Sequence, residues 1–82
     1  MDTIKINDVA KWVNPMNKAE ASDIMIVESV EAGGQLLTLK HINVPKGKQV
    51  EPSYTFSQNV RIVGTSTPDE KPEDISRKYI NK

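Results

Sequence analysis

The 82-residue chain has no cysteine. This excludes disulfide staples and thiolate zinc sites. Aromatic side chains are scarce: one Trp, one Phe and two Tyr, so each is either a large part of the core or a candidate contact. There is a single His, His41, and a lone imidazole cannot form a histidine metal cluster. Net charge is also missing, because eleven basic residues offset eleven acidic ones. A neutral chain has no general field to draw in phosphate backbones. No apolar run approaches the ~20 residues that span a bilayer. The opening stretch "MDTIKINDVAKW" has an acid directly after Met1 and no run of signal-peptide length. A cytoplasmic, non-membrane protein is expected. At this length it forms one domain at most and buries only about 60–65% of its unfolded surface.

The apolar residues that are present concentrate between positions 4 and 63. "DIMIVESV" is rich in β-branched residues and alternates imperfectly, which favours a strand. "EAGGQ" follows, and Gly33-Gly34 supplies the positive φ angles of a tight hairpin turn. "LLTLKHI" is the return strand, so Ile24 to Ile42 reads as an antiparallel hairpin. "VAKWV" and "NVRIV" read as strands before and after it, and "YTF" as a short one. "NVPKGKQVEPS" between them carries turn chemistry at Pro45 and Gly47. In "WVNPMNKAEASDIMIV", Pro15 pushes Asn14 away from helical angles. "MNKAEA" holds a helical turn at most, so residues 14–22 read as a long loop. Trp12 faces inward or outward according to a one-residue choice of register.

From Gly64 on, "GTSTPDEKPEDISRKYINK" offers only Ile75, Tyr79 and Ile80 for burial. This division sets a body at 1–63 and a tail at 64–82, flexible or shortly helical. Pro72 suits a first helical turn, with Glu73 and Asp74 near the positive end of the dipole. Ile75 and Tyr79 would share a face. A helix this short persists only if something packs on it.

The order strand, long loop, strand, Gly-rich hairpin, strand, connector, short strand, one-turn "SQN" and last strand resembles the SH3-like barrel over residues ~5–63. "EPSYTFSQNVRIV" is similar to the end of such domains, where a tight helical turn precedes the last strand. The resemblance implies an all-β, small five-stranded SH3-like barrel. Domains of that class that bind proline-rich peptides have paired aromatics in the first long loop and a Trp pair after the hairpin. This loop has no aromatic and Trp12 precedes it, so that activity is not implied. The "WVNP" near the start also resembles small bacterial proteins, a likeness that implies no activity.

No catalytic residues, metal ligands or cofactor sites are expected. Ser residues are scattered without a G-x-S-x-G elbow, and His41 reads as a hydrogen-bonded structural residue. Glu20, Asp23, Glu28 and Glu31 lack calcium-loop spacing. The leading expectation is a non-enzymatic interaction module that binds another protein through the barrel rim. Its anchors are Trp12, Asn14, Met16 and Tyr54, brought together if residues 14–22 fold over one end. The alternative is nucleic-acid binding through Lys40, His41, Lys46 and Lys48, since no acid occurs from Ala32 to Val50.

Overall fold

A computed structural model describes residues 3–82 of the chain. Strands β1 (Asp8–Trp12), β2 (Met25–Glu31), β3 (Leu36–His41), β4 (Ser53–Phe56) and β5 (Val60–Thr65) form one antiparallel sheet in the order β4-β3-β2-β1-β5. The sheet does not close, so β4 and β5 are its two edges. A single helical turn, α1 (Lys18–Ala21), lies in the first long loop, and α2 (Pro72–Tyr79) ends the chain. Among the described residues no helix is long and apolar enough to cross a membrane.

The hairpin forms where the glycines permit it. Ala32, Gly33 and Gly34 all have positive φ, a backbone that glycine enters without steric cost. Register then follows the apolar pattern: Met25 pairs with His41 and Val27 with Leu39. A bulge between Val27 and Ser29 inserts one extra residue. Downstream of it Val30, rather than Ser29, joins Met25 and Val27 on one face, which accounts for the imperfect alternation of "DIMIVESV".

That face carries the main core: Ala10, Met25, Val27, Leu37, Leu39 and Val60, with Trp12, Ile4 and Val30 packed beside them. Four of these six are wholly shielded from solvent. A flat sheet leaves an uncovered face wet, and no helix is part of this cluster. The shielding comes from the sheet's own side chains and from Ile4, Trp12 and Val30 packed against them.

The opposite face carries a second cluster of Val9, Ile24 and Ile75, joined by Ile26, Ile42, Val63 and Tyr79. Here α2 provides the cover. Pro72 opens the helix, Glu73 and Asp74 sit in its first turn, and Arg77 and Lys78 in its last, all favourable to its dipole. Burying Ile75 contributes about 2 kcal/mol, on the usual value for a fully buried branched side chain. Lys11 is buried beneath the far end, with Nζ 3.4 Å from the carbonyl oxygens of both Tyr79 and Ile80. Those carbonyls have no partner within the helix and are the negative end of its dipole. Outside, Lys78 donates to Glu70 at 2.9 Å, tying the helix to the preceding turn.

The expected tail thus begins inside β5, at Gly64 and Thr65, and ends in a docked helix. Its seat is close-fitting: a Cβ at Gly64 would overlap the Tyr79 ring. Gly64→Ala is expected to lift Tyr79 and cost about 1–3 kcal/mol, the usual range for overpacking. In a Tyr79→Ala background the same change should cost less than half as much, measured by urea unfolding. Equal costs in both backgrounds would contradict the packing. The Glu70–Lys78 pair sets a pH dependence. The hydrogen bond from Lys78, with that from the Thr67 N–H, holds the Glu70 carboxyl below its ordinary 4.5. Its contribution is therefore present above pH 4.5 and fades as pH falls through the lowered value. The stability gap between the protein and Glu70→Gln should narrow over that acid range. A gap independent of pH would contradict the pairing.

Candidate functional site

One end of the main core is closed by polar side chains instead of apolar ones. Asp23 lies just before β2, on the same side as Met25. Its Oδ2 accepts from Trp12 Nε1 at 2.9 Å, and its Oδ1 is 2.8 Å from His41 Nδ1. The other imidazole nitrogen, Nε2, is 2.6 Å from Ser53 Oγ. The four residues come from the end of β1, the loop just before β2, the end of β3 and the start of β4. Strand register alone brings them together: Met25 opposite His41, and Leu39 opposite Ser53. The His41 and Asp23 side chains are only 9% and 17% exposed.

The hydrogen roles follow from chemistry. An ionised carboxylate only accepts, so Nδ1 carries a proton toward Asp23. In the neutral ring Nε2 then accepts from the Ser53 hydroxyl, and in the imidazolium it donates to it. Asp23, His41 and Ser53 thus stand in the order in which an oriented imidazole removes a hydroxyl proton. Acyl transfer also requires donors aimed at a developing oxyanion and a place for the substrate. The groove beside this network is lined by Trp12 but not by Asp23, His41 or Ser53. The network satisfies the indole N–H and both imidazole nitrogens where the core meets solvent, and it fixes Asp23, two residues before β2.

Beside this plug, the first loop and the 57–59 turn form a groove of 240 Å³ lined by Trp12, Val13, Asn14, Met16, Gln58 and Asn59, with Glu20 at its side. The groove is built locally. Val13 N–H donates to the Asn59 carbonyl at 3.0 Å, pinning the loop to the turn. Asn17 caps α1 by accepting from Glu20 N–H at 2.8 Å, and Glu20 Oε1 accepts from Met16 N–H at 2.8 Å. These reciprocal bonds resemble a capping box. They hold Met16 out in water, 87% exposed.

Three of the four expected rim anchors, Trp12, Asn14 and Met16, converge on this groove. Trp12 is half-buried, packed on the main core with its indole N–H bound to Asp23, so only part of the ring is presented. Tyr54 is elsewhere: it stands on the outer face of β4, paired with Thr38, and does not line the groove. Of the basic residues, Lys40 is exposed on the outer face of β3, and Lys46 and Lys48 are exposed on the connector to β4. His41 points to the opposite side, with both nitrogens engaged. Asp23, Ser53, Gln58 and Asn59 were not singled out from sequence as site residues. The hairpin register held the clue to Asp23, since a turn centred on Gly33 brings the start of β2 alongside His41.

The chain matches no family model, no curated protein and no solved structure.

Removing the carboxylate tests the plug. Asp23→Ala strands the Trp12 N–H and the His41 ring, and should cost about 1–3 kcal/mol, the range for partners left unsatisfied. Asp23→Asn, which keeps one acceptor oxygen, should cost less. Urea unfolding followed by Trp12 fluorescence measures both. An Asp23→Ala protein as stable as the parent would contradict the network.

Proposed function

We propose that the protein is a non-enzymatic interaction module that receives a segment of another protein in the groove between its first loop and the 57–59 turn. The fold behind it is read as SH3-like. The strand order β4-β3-β2-β1-β5, the short turn joining β4 to β5 and the main core on one face of the sheet support that reading. The observation that carries the function is Met16. Its side chain stands almost wholly in water at the lip of a groove whose floor is a half-buried Trp. Large exposed apolar groups beside partly buried aromatics are common contact anchors.

The groove's dimensions and lining narrow the partner. Small-molecule sites usually run to about 300–1,000 Å³, and 240 Å³ is smaller. It suits one or two side chains of an extended segment. The apolar contributions of Trp12, Val13 and Met16 favour an apolar anchor residue. The amides of Asn14 and Gln58 supply donors and acceptors for the partner's backbone. Glu20 disfavours an acidic residue next to the anchor.

A photo-crosslinker at position 16 of the full chain, used in the native cell, should give one reproducible adduct. Val13→Asp should abolish it, and a crosslinker at Glu73 on α2 should not produce it. Identical adducts from both positions would contradict the reading. The non-enzymatic part has its own test: a fluorophosphonate probe, which phosphonylates activated serines with loss of fluoride, should leave Ser53 unlabelled. Stoichiometric labelling of Ser53 that is lost in His41→Ala would overturn it.

A further inference from the structure

We propose that two copies of the chain associate through antiparallel pairing of their β4 strands. The argument begins with the backbone. Among the described residues β4 pairs only with β3, and Ser57 N–H donates to the Gln35 carbonyl at 2.8 Å. Hydrogen-bonded and non-bonded pairs alternate along an antiparallel ladder. Leu37 with Thr55 and Leu39 with Ser53 are therefore the bonded pairs. The N–H groups of Tyr54 and Phe56 and the C=O of Tyr54 turn away from β3, toward the open edge, while the Phe56 C=O opens the 57–59 turn.

The same two residues present their rings on the outer face, 79% and 55% exposed, with Leu36 beside Phe56 across the ladder. α2 covers the other half of that face, over β1 and the start of β2, and leaves this half bare. Edge strands usually carry protection, such as an inward charge, a lysine, a bulge or a proline within the strand. Residues 52–60, "PSYTFSQNV", contain no charged side chain, and Pro52 lies outside β4.

The occupant is a second copy because the edge is complementary to itself. A two-fold axis at Thr55 places Tyr54 of one copy opposite Phe56 of the other, and repeats the pair by symmetry. The Phe56 N–H of each copy then donates to the Tyr54 C=O of the other, two ladder bonds related by the axis. Two aromatic cross-strand contacts form on one face, of a kind worth about 0.2–1 kcal/mol each. No like charges meet along the uncharged segment, and a chain of zero formal net charge does not repel its copy. The result is one sheet running unbroken through both molecules. The groove beside Met16 is formed by other elements and stays open.

Sedimentation velocity on the full chain should show a monomer at a few µM passing to a dimer by about 1 mM, the range expected of a small edge contact. Tyr54→Lys and Phe56→Lys alter exposed side chains and should each hold the chain monomeric while leaving its circular dichroism unchanged. The chain has no cysteine, so Thr55→Cys introduces a single thiol that meets its symmetry mate on the axis. Mild oxidation should give a disulfide dimer, whereas Glu73→Cys on α2 should crosslink at least tenfold more slowly. A chain that stays monomeric to 1 mM would overturn the proposal. So would a dimer that persists in Phe56→Lys, or equal crosslinking at 55 and 73.

Discussion

The structure depends on β1 being buried on both sides. Ala10 and Trp12 face the main core, while Val9 and Lys11 face the second cluster and the end of α2. A strand solvated on one side tolerates polar residues there, but β1 has no such side. Even its lysine is buried, and it is tolerated because its ammonium meets the carbonyl oxygens that end α2. A slip of one residue would exchange the two sets. It would turn Lys11 toward Leu39 and Trp12 toward the helix. Two devices hold the register. Asn7, in a left-handed conformation, accepts from both N–H and hydroxyl of Ser66. Val63 is accommodated as a bulge between the Val9–Gly64 and Ala10–Ile62 pairs.

From that strand the two candidate regions follow. On one side Trp12 reaches the end of the main core and donates to Asp23, which in turn orients His41 against Ser53. The carboxylate sits where the first loop rejoins the sheet, so the same bonds that satisfy the buried polar groups anchor the loop that carries Met16. On the other side Val9 and Lys11 seat α2, and the helix covers only its own half of the outer face. The bare half, with Leu36, Tyr54 and Phe56, is a consequence of where the helix stops.

Much of the strand pattern was legible in the sequence. β-branched residues around Gly33-Gly34 marked the hairpin, and the "SQN" turn and last strand stood where expected. α1 is the single turn that "MNKAEA" had room for, and Ile75 and Tyr79 do share a face of α2. The face of Trp12 was not legible, because a strand buried on both sides loses the alternation that would reveal its orientation. The place where α2 docks was hidden for the same reason. The bulge in β2 left only a flaw in periodicity. The Asp23, His41 and Ser53 cluster has no spacing signature, since it joins positions far apart in sequence and forms only when three strands adopt their register. Tyr54 was grouped with the rim residues although its strand directs it to the other face.

The two-sided burial of β1 is the claim to test most directly, and methyl-to-methyl nuclear Overhauser contacts do so. The account predicts contacts from the Val9 methyls to Ile24 and Ile75, and from the Ala10 methyl to the set of Met25, Leu37 and Val60, with no exchange between the sets. Contacts from Val9 and Ala10 to the same cluster, or a Val9 with no contact to Ile75, would contradict it.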